Sequence, residues 1–185
     1  MKWMIASDIH GSEYYCKVLM KAYEDEKADR MLLLGDILYH GPRNPLPKGY
    51  NPKGVIDILN TAKQKILCVR GNCDSEVDQM VLQFPILADY CVISEENMII
   101  YATHGHLYNE KNLPPLKKGD VLLNGHTHIP AYTEHENYIY INPGSVSLPK
   151  ENSWHGYMTL EGGIFTWKNM DGNIMMRKKI YEKEN

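Results

Sequence analysis

An α/β fold organised around a parallel sheet is what this 185-residue chain predicts. Three observations carry that expectation. Short apolar runs end abruptly in polar residues, helical spacing separates the first three of them, and the later chain breaks into strand-like pieces divided by turn residues. Lys2 to Ala6, Met31 to Leu34 and Ile66 to Val69 are the first apolar runs, of a length that suits strands buried on both faces. From Ser12 to Lys27, Tyr15, Val18, Leu19 and Ala22 fall at helical spacing behind Ser12, an N-cap residue. Val55, Ile58, Leu59 and Ala62 repeat that spacing between the second and third runs. The order β-α-β-α-β follows, the signature of parallel strands with right-handed crossovers. Between the second run and the second helix, His40 to Pro52 holds four prolines in thirteen residues, which excludes a regular helix or a central strand and marks a long loop of the functional kind. A short helix is expected around Ser75 to Leu82. Strands follow at Tyr90 to Ser94, Met98 to Thr103, Val121 to Asn124, Tyr138 to Ile141, Gly156 to Leu160, Ile164 to Trp167 and Ile174 to Ile180. Glu161-Gly162-Gly163 and Asp171-Gly172 separate the last of these, so the C-terminal part reads as an antiparallel meander.

The length predicts a single domain over residues 1–185, and 43% hydrophobic with 23% charged residues is ordinary globular usage, against disorder. A formal charge of -3, with no long single-sign run apart from the mixed Lys/Arg/Glu tail after Met176, argues against nucleic acid or an anionic membrane as partner. Asp8 interrupts the N-terminal apolar run before it reaches signal-peptide length, and no stretch is long enough to span a bilayer, so a cytoplasmic location is expected. Cys16, Cys68, Cys73 and Cys91 show no CxxC spacing, which disfavours a zinc ribbon and reads as reduced thiols, with Cys16 and Cys68 in the core.

The chemistry lies at the strand ends. The first run meets Asp8-Ile9-His10, the second Gly35-Asp36 and the third Gly71-Asn72-Cys73-Asp74, while later strands meet His104-Gly105-His106 and Gly125-His126-Thr127-His128. In open α/β sheets ligands bind beyond the carboxyl ends of strands, so these groups are expected on one rim. Asp8, Asp36, Asn72, His10, His104, His126 and His128 make seven first-sphere groups, more than one ion ordinarily uses. A pair of metals sharing one carboxylate accounts for them, and oxygen and nitrogen donors without thiolate favour Mn, Fe, Zn or Ni over a calcium cage. Two such ions ~3.5–4 Å apart would activate a bridging water as hydroxide and neutralise phosphoryl oxygens, which is hydrolysis of a phosphate ester.

The pattern D-x-H, G-D, G-N, H and G-H-x-H, filled here by Asp8/His10, Gly35-Asp36, Gly71-Asn72, His104 and Gly125-His126-Thr127-His128, resembles that of the calcineurin-like metallophosphoesterases; Asn142-Pro143-Gly144-Ser145 extends the match. Val69-Arg70-Gly71-Asn72-Cys73-Asp74 and His40-Gly41-Pro42-Arg43 are most similar to the small phosphodiesterases of that family. The resemblance implies a four-layer α/β/β/α sandwich with mixed sheets. It implies two divalent ions per chain, Mn2+ favoured, the first on Asp8, His10 and His128, the second on Asn72, His104 and His126, with Asp36 bridging. Asp36, Asn72, Cys73 and His104 become the expected catalytic residues, and Cys73, Arg43 and His106 the expected substrate contacts.

One position departs from the family. Many relatives carry His after the Asn, where this chain has Cys73, and a thiol of ordinary pKa about 8.5 donates a proton but anchors phosphate less well than imidazolium. The expected activity is hydrolysis of small phosphodiesters by a metal-bridging hydroxide. The alternatives are a phosphomonoesterase or nucleotide phosphatase with the same centre, and a non-catalytic interaction scaffold of the same fold, which would not need all seven ligand places filled. The Pro/Tyr-rich loop suits a subunit contact in a homo-oligomer. Asp74 and Ser75 are expected to cap the helix that follows, and His135 and His155 to be exposed or hydrogen-bonded without a role.

Overall fold

The computed structural model describes residues 1–95 and 98–180; the last five residues of the charged tail expected after Met176 lie outside the described residues. Strands β1 (Trp3–Ala6), β2 (Arg30–Leu33) and β3 (Ile66–Cys68) run parallel, connected through helices α1 (Glu13–Asp25) and α2 (Pro52–Thr61). This is the β-α-β-α-β order expected from the sequence. The meander of β9 (Gly156–Glu161), β10 (Ile164–Asn169) and β11 (Ile174–Lys179) adds to the same sheet through antiparallel pairing of β9 with β1, giving the order β11-β10-β9-β1-β2-β3.

The second sheet has the order β4-β5-β6-β8-β7, from β4 (Tyr90–Glu95), β5 (Met98–Thr103), β6 (Asp120–Leu123), β7 (Pro130–Glu134) and β8 (Tyr138–Pro143). Its centre, β5-β6-β8, is parallel, so the antiparallel meander is confined to β9–β11. Parallel neighbours need long crossovers, and residues 104–119 supply one of them. Strand β7 carries no strand signal of its own in the sequence. It opens on Pro130, whose missing N–H is tolerated at the start of an edge strand, and its residues are at best half-buried, so apolar alternation is absent.

Period-two alternation sorts the first sheet's side chains between two cores. Trp3, Ile5, Leu32 and Leu34 face the second sheet, where they meet Ile100, Ala102, Val121, Leu123 and Ile141. Met4, Ala6, Met31 and Leu33 face the helices and pack on Cys16, Leu19, Val55 and Leu59. Each fully buried Leu, Ile, Val or Met among them contributes about 1.5–3 kcal/mol. On the outer face of the second sheet, Leu122, Tyr138 and Tyr140 are covered by Leu116 of the irregular 104–119 segment. Two mixed sheets packed face to face between covering layers are therefore the architecture, in the α/β class. Ser12 caps α1 by accepting the Tyr15 N–H at 3.2 Å, and Pro52 opens α2 at a position where its lost N–H costs nothing. The Pro-rich loop is tied down by Glu13 N–H to Gly49 O at 3.0 Å and Asn51 N–H to Gly11 O at 2.8 Å.

Candidate metal centre

The loops leaving β1, β2 and β3 lie against one another. Asp8 N–H donates to Gly35 O at 3.1 Å, and His10 N–H to Asp36 O at 2.9 Å. A Cβ on Gly71 would stand 2.1 Å from Asp36 Oδ1, so only glycine lets the third loop close onto the second. Gly125 plays the same part between the sheets, since a Cβ there would stand 1.9 Å from Ser7 Oγ. The carboxylate of Asp74 accepts the backbone N–H groups of Asp36 (2.8 Å), Ile37 (2.9 Å) and Gly71 (2.7 Å). This corrects the expectation that Asp74 caps the following helix: Ser75 alone caps α3 (Glu76–Gln79), in a capping box with Asp78, and Asp74 joins two loops instead.

Five of the expected ligand residues are left-handed: Asp8 (φ 59), His10 (φ 49), Asp36 (φ 55), His126 (φ 65) and His128 (φ 63). That region is strained for any residue bearing a Cβ, by roughly 1–2 kcal/mol, and is held only where surroundings enforce it. At Asp8 the enforcing groups are the hydroxyls of Ser145 (2.9 Å) and Ser147 (3.1 Å), which donate to its carbonyl. Asn142 donates to Gly125 O at 2.8 Å, which explains the Asn142–Ser145 string physically.

All seven residues expected as ligands come together. His10 Nδ1–H donates to Tyr39 O at 2.7 Å and His128 Nδ1–H to Leu148 O at 2.6 Å, which leaves each Nε2 with a lone pair. These two Nε2 atoms nevertheless face each other at 3.2 Å, and His128 Nε2 lies 3.2 Å from Asp8 Oδ1, a buried oxygen without a hydrogen-bond partner. His104 repeats the pattern. Its Nδ1–H donates to Leu34 O at 2.7 Å, while Nε2 faces Asn72 Oδ1 and His126 Nδ1, each at 3.1 Å. Asp36 Oδ2 stands between the two groups, 3.6 Å from His10 Nε2 and 3.5 Å from His104 Nε2. Acceptors facing acceptors in a buried site repel unless a cation lies among them, so the donor set fits metal ions. Asp8, His10 and His128, and Asp8, Asp36 and His104, have ligand atoms close enough to share one.

The electrostatics agree. Burial opposes ionisation of Asp8, but His10 and His128 hold its carboxyl well below the usual range. Burial likewise opposes charge on His104, yet Asp36 and Asp8 lift it to about 9. His126 is pushed down, by burial and then by His104. Two carboxylates that draw a proton this strongly would draw a divalent cation too.

A cavity of about 500 Å³ opens over the cluster, lined by Asp36, Asn72, His126 and His128 together with Cys73 and Arg43, two of the expected substrate contacts. Cys73 N–H donates to Asp36 Oδ1 at 2.8 Å, and burial followed by the Asp36 charge pushes its thiol up, so the sulfur keeps its proton. His106, the third, lines an adjoining cavity of about 270 Å³ that shares His126 and Thr127 with the first. Its ring centroid is 5.4 Å from that of His104. Sequence reasoning missed Thr127, Asn44 and Lys150 on the main cavity's wall; a lone lysine after Leu-Pro gives no signal. His135 pairs with Glu110 at 2.8 Å and His155 stacks on Tyr15, both away from the cluster.

Residues 1–162 match the model of the calcineurin-like phosphoesterase superfamily domain. The chain is 45% identical over 166 residues to the phosphodiesterase YfcE of Escherichia coli strain K12, covering 90% of each chain. The solved structure of YfcE, described as a phosphoesterase from E. coli, superposes with a TM-score of 0.94 at 42% identity over 98% of this chain and 100% of that one. A structure of Vps29 from Entamoeba histolytica, described as complexed with zinc, matches with a TM-score of 0.64 at 20% identity over 98% of this chain and 100% of that one, a likeness of fold alone.

Proposed function

This chain belongs to the calcineurin-like phosphoesterase superfamily, and from that membership we propose that it is a metal-dependent phosphodiesterase acting on small phosphodiesters. The carrying observation is the convergence of the Nε2 atoms of His10, His128 and His104 on one another's neighbours and on the oxygens of Asp8 and Asn72, an arrangement that calls for a cation among them. Asp8, His10 and His128 would hold one ion, and Asn72, His104 and His126 a second. Asp36 would bridge them, since its carboxylate stands between the groups. Two divalent ions, Mn2+ favoured, would supply an activated water and charge neutralisation of the phosphoryl oxygens.

The chain's own residues supply the rest. The bonds from Nδ1 to Tyr39 O, Leu148 O and Leu34 O fix three imidazoles in one tautomer and aim Nε2 inward. Asn72 Nδ2–H donates to Cys73 Sγ at 3.3 Å, which turns Asn72 Oδ1 toward the cluster. Cys73 retains its proton at neutral pH and lines the cavity, so Sγ–H is placed to donate toward a departing ester oxygen. It offers no positive charge, which suits a diester monoanion better than a monoester dianion. A cytoplasmic location agrees with four free cysteines.

The test is metal analysis joined to a screen of aryl mono- and diesters. Two ions per chain and faster diester cleavage, both lost on chelation, are expected, and Asp36→Ala should lose both metals while Asn72→Ala chiefly weakens the second. One ion or none at saturating Mn2+, with activity indifferent to chelator, would defeat the reading. Comparable or faster monoester cleavage would move the assignment to a phosphatase.

A further inference from the structure

We propose, resting on the phosphodiesterase reading, that Arg43 and Lys150 form an anion subsite in the main cavity, and that the substrate is a phosphodiester one of whose arms carries a second anionic group. The cavity's volume of about 500 Å³ is that of a small-molecule site, larger than a phosphoryl group needs. Its floor is the ligand cluster. Its walls bring in two cations from loops distant in sequence, Arg43 from the loop after β2 and Lys150 from the loop after β8.

Both cations stand on pinned backbone. The Gly41–Asn44 turn is closed by Asn44 N–H to Gly41 O at 3.2 Å and by the Asn44 amide to His40 O at 2.9 Å. Lys150 N–H donates to His128 O at 3.2 Å, and Lys150 O accepts from Ser153 N–H at 3.0 Å. Neither side chain has an ion pair or hydrogen bond among the described residues.

The charge balance selects the ligand. Among the described residues Asp36 is the one acid on the main cavity's lining, and its carboxylate is already faced by His10 and His104. The adjoining cavity differs, since Lys111 there is accompanied by Glu110. Unmatched positive charge is thus a property of the main cavity. A simple diester carries one negative charge, at the phosphoryl group that the ligand cluster receives. A second anionic group, phosphate or carboxylate, would meet the guanidinium fork and the ammonium group.

The experiment compares the metal-loaded enzyme on 4-nitrophenyl phosphodiesters whose second arm is glycerol, glycerate or glycerol 3-phosphate, with 4-nitrophenyl phosphate as a monoester control. Wild type should favour the anionic arms over glycerol in kcat/KM, by about fivefold per cation engaged. Lys150→Gln and Arg43→Gln should each lower that preference, and the double variant should abolish it. The loss should appear in KM, because the subsite grips ground and transition states alike. Lys53→Gln, which removes an exposed charge on α2, should leave the preference intact and so excludes a general field effect. The glycerate and glycerol phosphate arms distinguish carboxylate from phosphate. A second readout is calorimetric titration of metal-free protein with glycerol 3-phosphate, where the double variant should bind less tightly. No preference in wild type, an unchanged preference in the double variant, or an equal loss on the monoester would overturn the subsite. Failure of wild type to cleave any diester at saturating metal would instead overturn the phosphodiesterase reading, and the titration would still report on the subsite.

Discussion

At the scale of the residue, the site is assembled by backbone conformations that most side chains avoid. Asp8, His10, Asp36, His126 and His128 are all left-handed, and Asp and His tolerate that region better than bulky or β-branched residues. The strain must be enforced by neighbours, and Asp74 is one of them through its three backbone bonds to Asp36, Ile37 and Gly71. Asp74→Ala would leave three buried N–H donors without a partner. A loss of about 3 kcal/mol or more is expected, read by urea unfolding, with metal affinity falling because Asp36 and Asn72 lose their positions. Cys73 sits differently, held by its backbone on the cavity lining with its sulfur within 4.8 Å of ligand atoms of His10 and Asp36. Cys73→Ser should keep both metals and lose less than roughly a hundredfold in turnover of an activated diester, the lower end of general acid contributions. Loss of one metal from that variant would make Cys73 a ligand.

At the scale of the element, α1 is fastened to its sheet at both ends. Ser12 caps its start, and Glu26 just beyond its last residue gathers Lys2 of the chain entering β1 at 2.7 Å, Tyr157 of β9 at 3.0 Å and Lys168 of β10. Burial opposes the Glu26 charge, but hydrogen bonds from Lys168, Lys2 and Tyr157 outweigh it and hold the carboxyl below the ordinary 4.5. A depressed folded pKa contributes stability that is present above the unfolded pKa and is lost as pH falls through the folded one. Glu26→Gln is therefore expected to cost about 2 kcal/mol at pH 7, with the gap to wild type closing below pH 4.5. Urea midpoints at neutral and acidic pH check it, and a gap independent of pH would remove the charge from the explanation.

At the scale of the whole molecule, the candidate ligands come from both sheets. Asp8, His10, Asp36 and Asn72 follow strands of the first, while His104, His126 and His128 follow β5 and β6 of the second. Apolar packing already joins the sheets, together with the Trp167 Nε1–H bond to Asn142 O at 2.7 Å. Cations bound across that seam would add to it, because they bind the folded chain alone. Mn2+ at 100 times its dissociation constant should stabilise the protein by about 2.7 kcal/mol per site occupied and raise Tm by roughly 5–10 °C for each, reversed by chelator. An unchanged Tm in scanning calorimetry would show that the folded chain does not bind Mn2+ at these residues.

The sequence by itself determined the strand runs other than β7, the first two helices, the cap at Ser12 and the seven candidate ligand residues. Those features are local: an apolar run, a helical spacing, or a polar residue just past a strand end is read from neighbours along the chain. Tertiary structure decided how strands after Tyr90 divide between two sheets, because a parallel partner is chosen by a crossover and not by the strand's own pattern. It admitted β7 to an edge where half-buried residues suffice, and it gave Asp74 two backbone donors from the loop after β2 besides the Gly71 N–H of its own loop. It also set Lys150 on the wall of the cavity that holds Arg43, since an exposed lysine carries nothing in its local sequence to say which loop from elsewhere it will face.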